Sequence, residues 1–515
     1  MTTTLASCLC IVRVNRARRD RFLAALTLVI AWAPVTRAQA PAEKPAYERV
    51  NDLNARYKFI ERYSSSASLR PGENGQYRVA TRETVKIGID LPEGDKGRSV
   101  TQLQTIYTER PYEVSSVGTV TATVRLYERA KLERVPPTEG AAPRPVDGLL
   151  IWYKTRTGRP PTIISLSGDR TLQVSDFNLA TRGIFLPNLS GVMPVLPSRI
   201  GDTWRVSAAA IEAIAQRGER IAATESLAAK LMEIRRDPQS GLFTAVVGIA
   251  GRLSGNTTIS AEALFSFEPA PASATGAAAK PRADGGVEAR GAVTNFRLTA
   301  VTVVPVGDDP QNRKRRTDRR ELVLQRQTRT GTTPLALPPE PPAPTMANSW
   351  LTHTDPAGRF HVRYPQDFRA TPPKTGGDEL HLVRMGSNGP DVITIDVPAT
   401  PDPKNTAEVW RDAFYNDWEK KGLEVLRGPA EWLPEVEWPG LKVYRVEAAM
   451  KPAAGAGAPV GASRLHFDGY LIKLDGDRVA YAEAYTGEDP PLDFRKMVED
   501  LLKTFKLGVE PPSAP

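Results

Sequence analysis

The strongest constraint on how this chain can fold is a proline-rich strip, Thr333-Pro-Leu-Ala-Leu-Pro-Pro-Glu-Pro-Pro-Ala-Pro-Thr345. Six of its thirteen residues are proline. Proline lacks an amide proton and has a fixed φ, so the strip can neither sit inside a sheet nor continue a helix. It is expected as an extended, semi-rigid polyproline spacer. A long β-patterned region precedes it and an aromatic-rich α+β region follows. At 515 residues the chain exceeds a single core. The expected fold class is therefore α+β and multidomain. Residues 1–40 read as a signal peptide, 41–332 as a mainly antiparallel β domain with a leading helix, and 333–347 as the linker. Residues 348–508 read as an antiparallel sheet packed by helices, and 509–515 as a tail.

Charge divides unevenly along this plan. The net charge of +9 splits into +5 for residues 1–40, +10 for 41–349 and −6 for 350–515, where 20 Lys+Arg face 26 Asp+Glu. Opposite charges on the two halves imply interdomain docking that salt would weaken.

The N-terminus reads as a secretory signal. Arg16–Arg21 is basic, Phe22–Ala33 is apolar, and Ala38-x-Ala40 offers cleavage after Ala40. The apolar run is shorter than the about 20 residues of a membrane span. Cys8 and Cys10 are the only cysteines, so the mature chain has no disulfide and no thiolate site. The protein is expected in a periplasm or outside the cell, with no transmembrane segment after signal removal.

Between 41 and 332, Tyr47, Val50, Leu53, Tyr57 and Ile60 recur at helical spacing and predict the leading helix. Period-two alternation then predicts long strands over Gln76–Asp90, Val100–Glu109 and Tyr112–Leu132, and again over Leu242–Leu253, Thr257–Phe267 and Gly286–Val304. Ala208–Arg217 is Ala-rich and suits a short helix. Leu196-Pro-Ser-Arg-Ile-Gly-Asp-Thr-Trp204 resembles an LP-x3-GD-x-W motif of uncharacterised bacterial secreted β-proteins. It implies a tight turn at Gly201-Asp202 and a tryptophan anchored in the core.

Arg313, Lys314, Arg315, Arg316, Arg319 and Arg320 form a basic cluster. It reads as a solvated loop between strands, or as a polyanion contact in the cell envelope. No aromatic residues are interleaved for base stacking, so no nucleic acid is expected.

After the strip, Phe360, Val362 and Tyr364 alternate in a strand ending Tyr-Pro-x-x-Phe368, and further paired strands follow. Asn405 and Glu408 suit a helix start, with Trp410, Phe414 and Trp418 on one stripe and Gly422 as the stop. Phe494, Met497, Val498, Leu501, Leu502 and Phe505 mark a closing amphipathic helix. This order of strands and helices, with Phe360–Phe368 and Phe494–Lys506 as its firmest pieces, resembles the PsbP-like family, or Mog/PsbP fold, over about Trp350–Leu507. The resemblance implies an antiparallel sheet with helices on its faces and a role in docking on protein partners. Lys451–Ala462 is an insertion against that pattern, and no catalytic residue is implied.

No metal, cofactor or catalytic set is expected. His353, His361, His381 and His466 lie at no ligand spacing, and nucleophile, Walker and dinucleotide motifs are absent. Three readings of function remain. The first is a non-catalytic secreted protein binding a protein or envelope partner. The second is a carrier of a lipid or other apolar ligand in the β domain. The third is a hydrolase with a carboxylate pair across a cleft.

Overall fold

The long alternating segments become strands of one large sheet, because each offers an apolar side to a shared interior and a polar side to water. A computed structural model describes residues 47–50, 54–61, 73–90, 99–114, 120–135, 146–156, 159–168, 170–182, 184–215, 226–253, 256–269, 286–306, 314–330, 333–371, 379–386, 389–398, 406–420, 423–438, 440–452, 465–474, 478–487 and 491–508. Ala40, Arg313, Asn405, Gly422, the Lys451–Ala462 insertion beyond Pro452 and the tail lie outside them.

The first sheet is built from β1 (Glu48–Arg49), β2 (Tyr57–Glu61), β3 (Glu73–Asp90), β4 (Ser99–Val114), β5 (Val120–Val135), β6 (Leu150–Arg156) and β7 (Arg159–Ser165). The chain then leaves it through β8 (Leu172–Gln173), α1 (Val174–Arg182), a 3₁₀ segment Leu186–Val192, β9 (Thr203–Arg205) and α2 (Ala208–Ala215). It returns in β10 (Ser226–Arg236), β11 (Phe243–Leu253), β12 (Thr257–Pro269), β13 (Val287–Val306) and β14 (Lys314–Thr330). The strand order is β1-β10-β11-β12-β13-β14-β3-β4-β5-β6-β7, with β9 beside β10 and β2 parallel to β13.

The segment that leaves the sheet fills its inner face. Phe185, Leu186, Leu189, Val192, Val206, Ala210, Ile211 and Ile214 are buried in the same cluster as Tyr107 of β4, Ile151 of β6, Leu231 of β10, Val247 of β11 and Phe296 of β13. The fit is close at Gly191, where an added Cβ would stand 1.9 Å from Ser207 Oγ. Gly201 takes φ +95°, the tight turn its motif implied. Trp204 packs half-buried at the rim, its Nε1 donating to the Val192 carbonyl at 2.9 Å.

The proline strip forms neither helix nor strand, and its first part is held down. Leu335 N donates to Gln76 Oε1 at 2.9 Å, and Arg110 Nη1 donates to the Leu335 carbonyl at 2.7 Å. Leu335 and Leu337 cover the outer-face apolar patch of Ala122, Val124, Trp152 and Ile164. After it come α3 (Met346–Ser349), capped by Thr345, then β15 (Leu351–Thr354) and β16 (Phe360–Tyr364). The last sheet uses β17 (Arg369–Thr371), β18 (Leu380–Gly386), β19 (Gly389–Asp396), β20 (Leu423–Trp432), β21 (Lys442–Pro452), β22 (Leu465–Lys473) and β23 (Val479–Thr486), in the order β17-β18-β19-β23-β22-β21-β20. Two helices pack on it, α4 (Ala407–Lys420) against Phe467 and Leu471, and α5 (Leu492–Leu502) in the cluster with Tyr470 and Ile472. β24 (Lys506–Leu507) ends the path by pairing with β16.

The α+β, multidomain expectation is corrected. Among the described residues 24 strands stand against five α-helices, so the chain is β-rich. Among the described residues of 47–61 the leading helix does not form, and strands stand at Glu48–Arg49 and Tyr57–Glu61. Tyr57 and Phe59 instead point inward from β2, against Phe265 and Phe267. Long strands offer those rings edge-to-face partners and offer the backbone a ladder, and this outweighs a weak helical period. Nor does the strip hold two bodies apart. β8, from before it, pairs in parallel with β15, from after it, and the inner cluster runs through both.

A second link joins the halves. Gln366 accepts from Ile163 N at 3.0 Å and donates to the Ile163 carbonyl at 3.1 Å, closing the open edge of β7 with one side-chain amide. Ile163 is fully buried, so water cannot replace those bonds. Gln366→Ala is expected to lower unfolding stability by about 1–3 kcal/mol, the cost of orphaned buried polar groups. Urea denaturation measures it, and an unchanged midpoint would contradict this role.

Candidate functional site

A recess of about 330 Å³ opens on the outer face of the large sheet. Register explains its position. Arg235, Thr244 and Ser266 form one cross-strand row, and Leu264, Asn295 and Gln325 form the next. Between the rows β13 carries a bulge: Leu264 pairs with Asn295 and Phe265 with Val293, which leaves Thr294 extra. A bulge breaks the strict alternation of a strand and re-aims side chains. Val293 and Phe296 stay in the core, so Thr294 and Asn295 both reach the outer side. Tyr47, half exposed, stands over the rim.

The same place is a fork. β14 pairs with β13 only as far as Gln325, and β2 takes the vacated side of β13 from Val287 to Gly291. Glu61 ends β2 at the fork and receives Arg326 Nη1 at 2.9 Å, while the Arg326 guanidinium lies 3.8 Å from the Tyr77 ring centre. This buried pair pins the divergence from the inner side. On the outer side, Arg235 is engaged by Glu233, which also meets Arg49 at 3.2 Å. Ser266 and Thr294 share a hydroxyl hydrogen bond of 2.9 Å. The Asn295 Oδ1 is buried and accepts no hydrogen bond from the described residues.

The lining thus offers hydroxyls, amides and arginine. Among the described residues that line it there is no carboxylate and no imidazole. A hydrolase working with two carboxylates would find no such pair here. Buried carboxylates do occur elsewhere, held by arginines. Asp468 and Glu447 meet Arg495, Glu499 and Glu447 meet Arg445, and Asp391 meets Arg384. Among the described residues no three His, Cys, Asp or Glu gather as a metal site.

A second polar constellation is fully enclosed. Arg125 and Glu109 have no exposed side-chain surface and form an ion pair through Nε and Oε2. The guanidinium lies 4.3 Å from the Tyr153 ring centre, 5.0 Å from Tyr107 and 5.7 Å from Phe185. Such a cage suits a planar cation stripped of water. Burial pushes the Tyr153 phenol up to about 12, with Arg125 pulling it back down, and burial drives Tyr107 higher still.

The basic cluster is not a loop. Lys314–Arg320 lie in β14, and alternation divides them between faces. Arg315 and Arg319 fall on the outer rows, and Arg316 and Arg320 on the inner ones. Arg316 is paired with Asp318 at 2.8 Å and Arg319 with Glu321 at 2.7 Å. Arg320 pairs with Glu83 and donates through Nη1 to the Ile214 carbonyl at 2.9 Å. It therefore caps the end of α2, a helix C-terminus where a cation is favourable. A signal for this existed in the alternating arginines and acids of Arg315–Glu321.

The histidines stay apart. His361 is buried with Nδ1 3.1 Å from the Gly508 carbonyl, and His381 contacts Glu379 and Thr394. Burial holds the His353 imidazole below its usual value, against the pull of Asp355. Trp410 and Trp418 pack under α4, Trp438 is buried, and Trp432 is half exposed beside Tyr444.

No family model matches the sequence, and no curated protein matches it. Solved structures give only distant likenesses. A lipovitellin, titled for its lipid–protein interactions, aligns at 10% identity and TM-score 0.26 over 54% of this chain and 27% of its own. OccK5 (OpdH) of Pseudomonas aeruginosa aligns at 8% identity and TM-score 0.12 over 81% and 98%. A Rhodopseudomonas blastica porin triple mutant aligns at 8% and 0.11 over 79% and 98%. This chain spans about a quarter of lipovitellin's length. Similarities this small assign neither a fold nor a role. No helix among the described residues is long and apolar enough to cross a membrane.

The caged tyrosines give a pH signature. Their folded values lie above the ordinary 10, so their share of stability is complete below about pH 10 and falls as pH rises towards 12. Tyr153→Phe keeps the ring over Arg125 and is expected to lessen that alkaline loss. Tyrosinate absorbance and urea midpoints between pH 9 and 12 test it, and equal slopes for both proteins would contradict the burial account.

Proposed function

We propose that the chain is a non-catalytic protein of the bacterial cell envelope, exported by its N-terminal signal, that binds a partner rather than converting a substrate. One observation carries the reading. The inner side of the large sheet is filled by the chain's own 174–215 segment, and the recess on the outer side is lined, among the described residues, by hydrogen-bonding groups without an acid–base pair. Such a surface can recognise and orient a partner, but it holds no group placed to transfer a proton from a carboxylate or an imidazole. The PsbP-like order of elements after residue 350 supports docking through that half as well. In this reading the arginines of β14 serve the fold before they serve any polyanion, since Arg316, Arg319 and Arg320 each hold a carboxylate.

A carrier of apolar ligands would need room inside the sheet. Leu189, Val192, Ile211 and Ile214 occupy it with at most 2% exposure. The mature chain, residues 41–515, is expected to sediment saturably with isolated bacterial envelope fragments and to show no saturable uptake of a fluorescent fatty acid. Stoichiometric lipid in the purified protein, or saturable uptake of the probe, would favour the carrier instead. Failure to sediment with envelope fragments would remove the envelope partner.

A further inference from the structure

We infer that the outer recess between β12, β13 and β14 is a binding site for a neutral saccharide. The inference rests on the binding role proposed above and adds the chemical class of the ligand.

Three features point that way. First, the site is built by a specific device. The extra residue of the β13 bulge turns Thr294 and Asn295 to the same face, where a regular strand would present only one of them. Second, the lining leaves an acceptor unused. Asn295 Oδ1 is buried and receives no donor from the described residues, and a buried polar atom in that condition is costly unless a ligand or water supplies one. The hydroxyl of a sugar is such a donor, and Gln325 and Ser266 stand on neighbouring positions to meet adjacent hydroxyls. Third, the lining cations already have carboxylate partners, with Arg235 sharing Glu233 with Arg49. Arg326 faces Glu61. An anionic ligand would have to compete with those carboxylates, whereas a neutral polyhydroxylated one would not.

Tyr47 completes the set. Its ring, half exposed at the rim, offers an apolar platform with a polar tip. Sugars present one face of C–H groups and an equator of hydroxyls, which matches a ring above and amides below. The volume of about 330 Å³ lies at the small end of the roughly 300–1,000 Å³ of ligand sites, enough for one or two sugar units.

The test is isothermal titration of the mature chain with a panel of probes: cellobiose, maltose, di-N-acetylchitobiose, glucuronic acid and inorganic phosphate. Saturable binding of at least one neutral disaccharide is expected, with glucuronic acid and phosphate much weaker. Thr294→Val and Asn295→Ala are each expected to weaken it about tenfold, equivalent to one lost hydrogen bond of roughly 1.4 kcal/mol. Tyr47→Ala, outside every strand, acts as a second variant whose folding is not in question, and it should weaken binding without moving the thermal midpoint. Absence of binding to all the neutral sugars, tighter binding of the acids, or unchanged affinity in all three variants would overturn the inference. Sedimentation with envelope fragments that persisted alongside such a result would leave the binding role standing and remove only the saccharide.

Discussion

The structure depends on how one face of a very large sheet is kept dry. Strands of up to 20 residues expose far more apolar surface than a single-layer sheet can leave in water. The chain solves this with its own residues 174–215, which leave the sheet after β7, cross the inner face and return at β10. Everything nearby serves that closure. Phe185 stacks on Tyr153 with ring centres 5.5 Å apart and joins the cage around Arg125. Trp204 ties the outgoing 3₁₀ segment to the returning β9, and Arg320 holds the Ile214 carbonyl in the last turn of the region's second helix.

Among the described residues, buried or half-buried Arg–Glu pairs on that inner side include Arg125 with Glu109, Arg326 with Glu61, and Arg320 with Glu83. Buried ion pairs often add little net stability over apolar residues, but losing one partner is expensive. Their value here is positional. Each joins two different strands, and a one-residue slip would separate the partners and turn apolar side chains outward. Arg326 sits where β14 leaves β13, so the geometry of the outer recess is fixed from beneath by a nearly buried pair.

Much of the strand content was legible, because alternation such as Val120, Ala122, Val124 and Leu126 survives any tertiary context. The closing helix was legible for the same reason, since Phe494, Val498, Leu501 and Leu502 leave little choice of buried face. Residues 47–60 misled because Tyr57 fits a helical stripe with Val50 and Ile60 as well as a strand face with Phe59, and only distant rings decide between them. The proline strip was legible as a segment without helix or strand, yet its docking turned on Leu335 and Leu337 finding a patch made by three other strands. The recess left no trace in the sequence. It arises from a register shift between β12 and β13, and pairing register is a property of two segments together. The basic cluster looked like a surface patch because counting charges ignores the faces of a strand.

The central claim is that the inner segment is a permanent part of the core rather than a removable occupant. Native-state hydrogen exchange tests it most directly, because local opening shows as amides that exchange faster than global unfolding allows. The amides of Leu189, Val192 and Ile211 should exchange at the rate of core residues such as Val247 and Phe296, all of them rising together with denaturant. Fast exchange across 186–215 beside a protected sheet would show that the segment lifts away and that the sheet can open to a ligand.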